Sequence, residues 1–504
     1  MQEYDNPVIP GFYPDPSICR VENDYYLVCS SFEYCPGIPI FHSKDLVHWE
    51  QIGHCLTRAS QQRLDNAPCS GGVWAPTIRW HNGIFYVTAT NECLGGNFYV
   101  YSTDPASQWS EPIHVNMGGI DPSFLFDNDG RVYYQTNQPS NDGKPGISQA
   151  EIEILTGNLL SEPRFIWAGT GGRAPEAPHI YHIGEWYYLM IAEGGTQFGH
   201  MATIARSKSP WGPFMACPAN PILTNLNTPN LEVHCTGHGD LVQDHNGSWW
   251  MVHLGIRIAR KYMSHLGRET FLVPVKWDQN GWPLVNHGEC VDVISRADTL
   301  PAVPVRQEPS SDTFCELSEP GFHWCSLRKP ADFYEITANG LVLHGNAYDL
   351  DDIATPAFLA RRQRYFDCVI ECKMEFEPQS ENEEAGIAIM ISNEFYYKFC
   401  KKIIDDVPKI CVTKRASDFY ETTGIYPITS KKANVLRIEA TREKYLFFVD
   451  DDGLIELATA STRFLACEVV GRCFTGTVIG MYATGKGCAC KTPAIYEYFS
   501  LHRI

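Results

Sequence analysis

Gly184-Glu185-Trp186-Tyr187-Tyr188-Leu189 joins a turn pair to an aromatic β-forming run, and the same unit recurs through the first three-fifths of the chain. The other copies are Tyr25-Tyr26-Leu27-Val28, Phe85-Tyr86-Val87-Thr88, Val132-Tyr133-Tyr134 and Trp249-Trp250-Met251-Val252. Each follows a hairpin-type turn: Asn23-Asp24, Asn82-Gly83, Asn128-Asp129-Gly130 and Asn246-Gly247. The copies lie roughly 50–60 residues apart, the scale of a four-stranded propeller blade with its loops. A second echo follows in three units: Ser43-Lys44-Asp45 before Trp49, Ser102-Thr103-Asp104 before Trp109, and Ser207-Lys208-Ser209-Pro210-Trp211. Helical periodicity is nearly absent. The pattern predicts an all-β chain whose residues 1–298 form a five-bladed β-propeller.

Beyond Leu300 the style changes. Pro301 to Pro309 is proline-rich and predicts a linker over 299–311. Longer alternating strands follow, such as Cys368 to Phe376 and Ala385 to Ile391, and predict a β-sandwich over 312–504.

In a propeller, equivalent positions of different blades converge on the axis. Aligned on the aromatic runs, the blade openings read Pro14-Asp15-Pro16-Ser17, Trp74-Ala75-Pro76, Asp121-Pro122-Ser123, Pro175-Glu176-Ala177-Pro178-His179 and Gly237-His238-Gly239-Asp240. Three of them carry an acid about ten residues before the aromatic strand, and the adjoining prolines predict extended backbone there. One acidic residue beside proline is ordinarily a solvated turn; three in register with a repeat suggest a carboxylate cluster. Such a cluster suits acetal hydrolysis. One acid must be protonated to release the leaving oxygen, while another must be ionised to activate water or attack carbon. A third charge can hold the proton on its neighbour.

Composition narrows the partners. The formal net charge of −19 and the lack of basic clusters argue against nucleic acid and suit a neutral sugar. Nowhere is an apolar run long enough to span a bilayer. Met1-Gln2-Glu3-Tyr4-Asp5 shows no basic, then apolar, leader, which predicts a cytoplasmic protein. The nineteen cysteines are scattered. Cys488 and Cys490 have no second pair at zinc-ligand spacing, and Cys29, Cys235 and Cys372 sit in apolar runs, so reduced thiols are expected.

The chain resembles glycoside hydrolase family 43, specifically its β-xylosidases with an added C-terminal β-sandwich of the concanavalin type. The resemblance runs through Asn6 to Ser17, Ser30 to Ile40, Gly72-Val73-Trp74-Ala75-Pro76, Asp121-Pro122-Ser123, Glu176-Ala177-Pro178-His179, Ala192-Glu193-Gly194-Gly195-Thr196, Gly237-His238-Gly239-Asp240 and Gly267-Arg268-Glu269-Thr270. It implies an inverting exo-hydrolase releasing D-xylose from β-1,4-xylo-oligosaccharides, with α-L-arabinofuranosidase or dual activity as the rival. A retaining fructosidase-type enzyme would need an Asn-Asp-Pro-Asn-like opening instead of Pro-Asp-Pro-Ser. A non-catalytic carbohydrate-binding propeller would not need the acids. Carried over by resemblance, Asp15 is the general base, Glu176 the general acid, and Asp121 the residue that raises the acid's pKa. Arg268 sits near the sugar, Trp74 and Phe32 wall its pocket, and Glu193 and Thr196 line it. No cofactor is implied for the chemistry. His238 matches a histidine near the axial channel, where family members often hold calcium, although one imidazole is a poor hard-cation site. The implied partner is a small oligosaccharide, and a homo-oligomer stays open.

Overall fold

The computed structural model describes residues 2–298, 303, 308–428 and 433–504. Five four-stranded antiparallel sheets cover residues 17–56, 73–115, 123–167, 176–216 and 233–285. In every sheet the aromatic run is the second strand: Asp24–Val28, Ile84–Asn91, Val132–Thr136, Trp186–Glu193 and Trp249–Arg257. Their aromatic and β-branched side chains fill the spaces between blades, as where Tyr86 meets Phe124 and Phe126.

The recurring serine has a clear job. It ends the third strand of three blades, and its hydroxyl accepts backbone N–H groups of the following turn. Ser43 takes Asp45 and Leu46 at 3.1 and 2.9 Å, Ser102 takes Asp104 at 3.2 Å, and Ser207 takes Ser209 at 3.1 Å.

The first strands of the blades, Ser17–Val21, Val73–His81, Ser123–Phe126, Glu176–Ile183 and Val233–Gln243, contact one another and form the inner ring. Gln2–Asp5 pairs with Ile294–Ala297 beside the fifth blade.

The second unit is a β-sandwich of an eight-stranded and a six-stranded sheet around one apolar core that includes Ile370, Cys372, Ile387, Ile389, Ile438 and Phe447. Residues 299–302 and 304–307 of the expected linker lie outside the described residues. The sandwich docks on the propeller through a buried apolar cluster containing Phe12, Phe32 and Tyr34 on one side and Phe358, Met390 and Tyr482 on the other. Arg328, only 2% exposed, donates to the carbonyls of Ala67 and Ala354 at 2.8 Å each and to Asn393 at 2.9 Å. Lost pairing there would leave a buried charge unsatisfied.

Candidate active site

Each inner strand is preceded or interrupted by a non-glycine residue in the left-handed region: Asp15 (φ 55°), Ala75 (44°), Asp121 (54°), Ala177 (52°) and His238 (49°). Asp15 and Asp121 are therefore not extended, contrary to the sequence reading. Proline after them excludes a right-handed helical turn but leaves this kink open. A side chain bearing a Cβ costs about 1 kcal/mol in such a conformation, and the cost recurs at functional sites. The kinks also correct the alignment. Asp15, Asp121 and His238 are equivalent to Ala75 and Ala177, so Glu176 stands one residue before the shared position, as Trp74 does.

The three acids nevertheless meet. Asp15, 4% exposed, accepts from Arg268 Nη1 at 2.9 Å and from Ser30 Oγ at 2.6 Å, with His238 Nδ1 at 3.6 Å. Ser30 in turn accepts the Ala75 N–H at 2.7 Å, which fixes its hydroxyl between two blades. Burial alone would raise the Asp15 carboxyl. The Arg268 guanidinium, then His238 and the Ser30 hydrogen bond, outweigh it and hold Asp15 below the ordinary carboxylate range.

Glu176 has the opposite balance. Burial, followed by repulsion from Asp15, raises it to about 7, against weaker opposition from Arg268 and Arg173. Asp121 is also raised, by burial first and then by the charges of Glu176 and Asp15, while the Ala177 N–H donates to it at 3.2 Å. Asp121 and Glu176 thus titrate as a pair, and their mutual repulsion keeps a proton on the pair near neutral pH. The arrangement places one ionised and one protonated carboxyl at a common centre, the requirement for general base and general acid at an acetal.

The remaining sequence candidates divide. Thr196 lines, together with Arg268, a cavity of about 370 Å³ that also takes in Phe198, Arg472, Cys473 and Phe474. Trp74 is half-buried, ties its indole N–H to the Ser70 carbonyl at 3.0 Å and meets Phe474 edge-on at 6.0 Å. Phe32 is 1% exposed with its ring 5.8 Å from the Arg268 guanidinium carbon, so it backs the arginine. Glu193 is corrected: it is fully buried and its oxygens accept the N–H groups of Thr170 and Gly172 and the hydroxyls of Thr170 and Thr203. It anchors the loop leading to Glu176 and has no bonding capacity to spare for a sugar.

His238 lacks the company a hard cation needs. Its neighbouring carboxylate, Asp15, is committed to Arg268 and Ser30, and no metal-holding group of three or more His, Cys, Asp or Glu occurs among the described residues. The side chains described around His238 do not fit a calcium cage.

Two contributions escape the sequence reading. His200, 1% exposed, donates its Nδ1–H to the Gly195 carbonyl at 2.7 Å, and lies close enough to Asp15 to help lower its pKa. A Cβ at Gly237 would fall 1.9 Å from the His200 ring, so only glycine leaves that ring its place. The second is a sandwich segment, 467–477, laid along propeller residues 264–268. Cys467 N–H donates to the Ser264 carbonyl at 3.2 Å and Thr477 N–H to the His265 carbonyl at 2.9 Å. Between these points Gly267 and Gly476 touch backbone to backbone; a Cβ on Gly476 would meet the Leu266 carbonyl oxygen at 2.2 Å. The result sets Phe474 over the site. Its carbonyl accepts from Arg268 Nε and Nη2 at 3.4 and 3.2 Å, and its N–H donates to Ser70 Oγ at 2.8 Å.

Comparisons with known proteins place the chain in a family. Residues 4–283 match the model of glycosyl hydrolases family 43, and residues 311–502 match the β-xylosidase C-terminal concanavalin A-like domain. The chain is 41% identical over 504 residues to a non-reducing end α-L-arabinofuranosidase of Bacteroides ovatus, covering 98% of this chain and 94% of that one. It is 38% identical over 528 residues to a xylosidase/arabinosidase of Butyrivibrio fibrisolvens, covering 99% of each. A solved Bacteroides ovatus structure, described as xyloglucan PUL GH43B, superposes with a TM-score of 0.95 at 40% identity over 100% of both chains. The protein is a glycoside hydrolase and belongs to glycosyl hydrolases family 43.

Proposed function

We propose that the protein is an exo-acting, inverting glycosidase that releases one terminal pentose, cleaving both β-D-xylosyl ends of xylo-oligosaccharides and α-L-arabinofuranosyl ends. Asp15 takes a proton from water as the water oxygen attacks the anomeric carbon. Glu176 gives its proton to the departing glycosidic oxygen, so a second sugar leaves as a neutral alcohol. Asp121 shares the acid's charge environment, and Arg268 with Ser30 orients Asp15 and keeps it ionised. The chemistry asks for no metal or organic cofactor.

The observation that carries this reading is the opposite tuning of Asp15 and Glu176 within one cluster. Chain-end action is supported by Phe474 and Arg472, which border the site from the sandwich side. Double specificity is supported by two relatives at similar identity, one named an α-L-arabinofuranosidase and the other named for both activities. The two pentoses offer similar hydroxyls near the scissile bond, and the acids alone do not separate them.

A paired assay on aryl β-D-xyloside and aryl α-L-arabinofuranoside, followed by proton NMR of the first-formed anomer, tests the stereochemistry and the dual specificity. Turnover of both with an inverted anomer is expected. A product of retained configuration removes the general-base role of Asp15, and turnover of one substrate alone removes the dual specificity.

A further inference from the structure

Three cysteines gather at the edge of the site, from distant parts of the chain. Cys69 belongs to the propeller loop before the second blade; Cys467 and Cys473 belong to the sandwich segment over the site. Cys467 Sγ donates to the Thr475 carbonyl at 2.9 Å, and Cys473 Sγ approaches the same oxygen at 3.9 Å, so both sulfurs converge on one atom. Cys69 Sγ reaches the Ile391 carbonyl at 3.5 Å, and the adjoining Ser70 Oγ accepts the Phe474 N–H next to Cys473. All three are half-buried, and Cys467 and Cys473 line the cavity that contains Arg268. Small solutes that enter this cavity, beside Arg268, therefore meet Cys467 and Cys473.

The mechanism above uses none of these sulfurs, yet Cys473 is bonded directly to Phe474. That residue's carbonyl holds Arg268, and Arg268 holds Asp15. Movement of Cys473 is transmitted to the general base through two hydrogen bonds.

We propose that Cys473 is an oxidative modification site, where a hydroperoxide drives formation of a Cys467–Cys473 disulfide that displaces Phe474 from Arg268 and lowers turnover. The Cys473 thiolate attacks one peroxide oxygen, the O–O bond breaks, and the released hydroxide takes up a proton to give water and a Cys473 sulfenic acid. Cys467 then loses its proton and attacks the sulfenic sulfur; the S–O bond breaks and the hydroxide leaves as a second water. Two thiols are oxidised by two electrons and one hydroperoxide is reduced. Joining the sulfurs requires an S–S distance of about 2.05 Å, much shorter than thiols in mere contact, so both side chains must leave the Thr475 carbonyl and turn toward each other, and Phe474 is bonded to one of them.

The local chemistry favours Cys473 as the attacking thiol. When Cys473 ionises, the Cys467 thiol and then the Cys69 thiol can turn from their carbonyls to donate to it, which holds it well below the ordinary thiol range, and the Arg268 cation lines the same cavity. Cys19 and Cys29, by contrast, are pushed up by apolar burial.

The test treats the full-length reduced enzyme with hydrogen peroxide, measures kcat/KM, and maps thiols by alkylation and peptide mass, each variant normalised to its own reduced form. About a tenfold loss, reversed by dithiothreitol and accompanied by a peptide linking 467 to 473, is expected. Cys473→Ser should keep its reduced-state turnover after peroxide, and Cys467→Ser should stop at a sulfenic acid on Cys473 that dimedone captures. The proposal falls if Cys473 stays alkylatable in peroxide-treated wild type, if it links to Cys69 instead, or if Cys473→Ser loses turnover in parallel with wild type. The peptide map reads thiols alone, so it decides the proposal whichever pentoside is cleaved.

Discussion

Asp240 and Glu176 belong to inner strands of neighbouring blades, yet the fold treats their carboxyls in opposite ways. Asp240 is fully buried on the axis and accepts from Arg79 at 2.8 and 3.2 Å, Ser17 at 2.6 Å, Tyr181 at 2.6 Å and the Ile18 N–H at 3.1 Å. Burial would raise its pKa, but Arg79 and then His179 pull it far below the usual value. Four blades converge on that one charge. Glu176 receives no comparable set of donors and faces Asp15 and Asp121. The axial charge is satisfied and braces the ring; the acids near it are left in conflict, which keeps a proton available for transfer. The difference separates a structural charge from a chemical one more sharply than burial does.

The contrast can be broken from either side. Asp15→Asn and Glu176→Gln are expected to lower kcat on an oligosaccharide by about 10²–10⁴-fold with unchanged circular dichroism. An aryl substrate with an acidic leaving group should recover much of the Glu176→Gln loss, because it needs no proton on departure. Asp240→Asn should instead destabilise the fold by about 3–5 kcal/mol, since Arg79 is left buried and unpaired; urea denaturation reads it. A loss of turnover without loss of stability in Asp240→Asn would erase the distinction drawn here.

The pH dependence sharpens it. The general acid must be protonated, so kcat/KM should fall tenfold per unit as pH rises beyond about 7, where Glu176 titrates. The base must be ionised, so the acid limb should lie below 3.8, the ordinary Asp value from which Asp15 is lowered. Stability carries the opposite sign for the acid. With its folded pKa raised to about 7 from 4.5, Glu176 contributes stability present below about 4.5 and lost as pH rises through 7. Glu176→Gln should therefore be more stable than wild type above pH 7, by about 1–2 kcal/mol once partial exposure is allowed for. An effect of similar size is expected for Ser30→Ala. It removes one hydrogen bond to Asp15 and leaves the Ala75 N–H without its acceptor, costing about 1–2 kcal/mol in kcat/KM or stability.

The aromatic strands were legible because hairpin turns and period-two alternation are local signals. The acids were legible because a repeat converts sequence register into spatial register. The single-residue offset of Glu176 was not, since the left-handed slot in its blade is filled by Ala177 and alanine announces nothing. Glu193 misled for a related reason: a carboxylate in a glycine-rich run looks available, and only coordinates reveal that Thr170, Gly172 and Thr203 have consumed it. Phe474 was beyond reach. Its partner Ser70 lies about four hundred residues away, and the 467–477 segment has no periodicity to mark it.

The carbonyl of Phe474 has a consequence for synthesis. Asp15 leaves the ribosome well before the backbone that steadies its arginine, which emerges some 459 residues later. At about 5–20 residues per second, translation separates those events by roughly 20–90 s. Over the later part of that interval, once the fifth blade has been completed at Val285, a nascent propeller holds all three acids but lacks its roof, so full hydrolytic competence waits for the Phe474 segment to fold back.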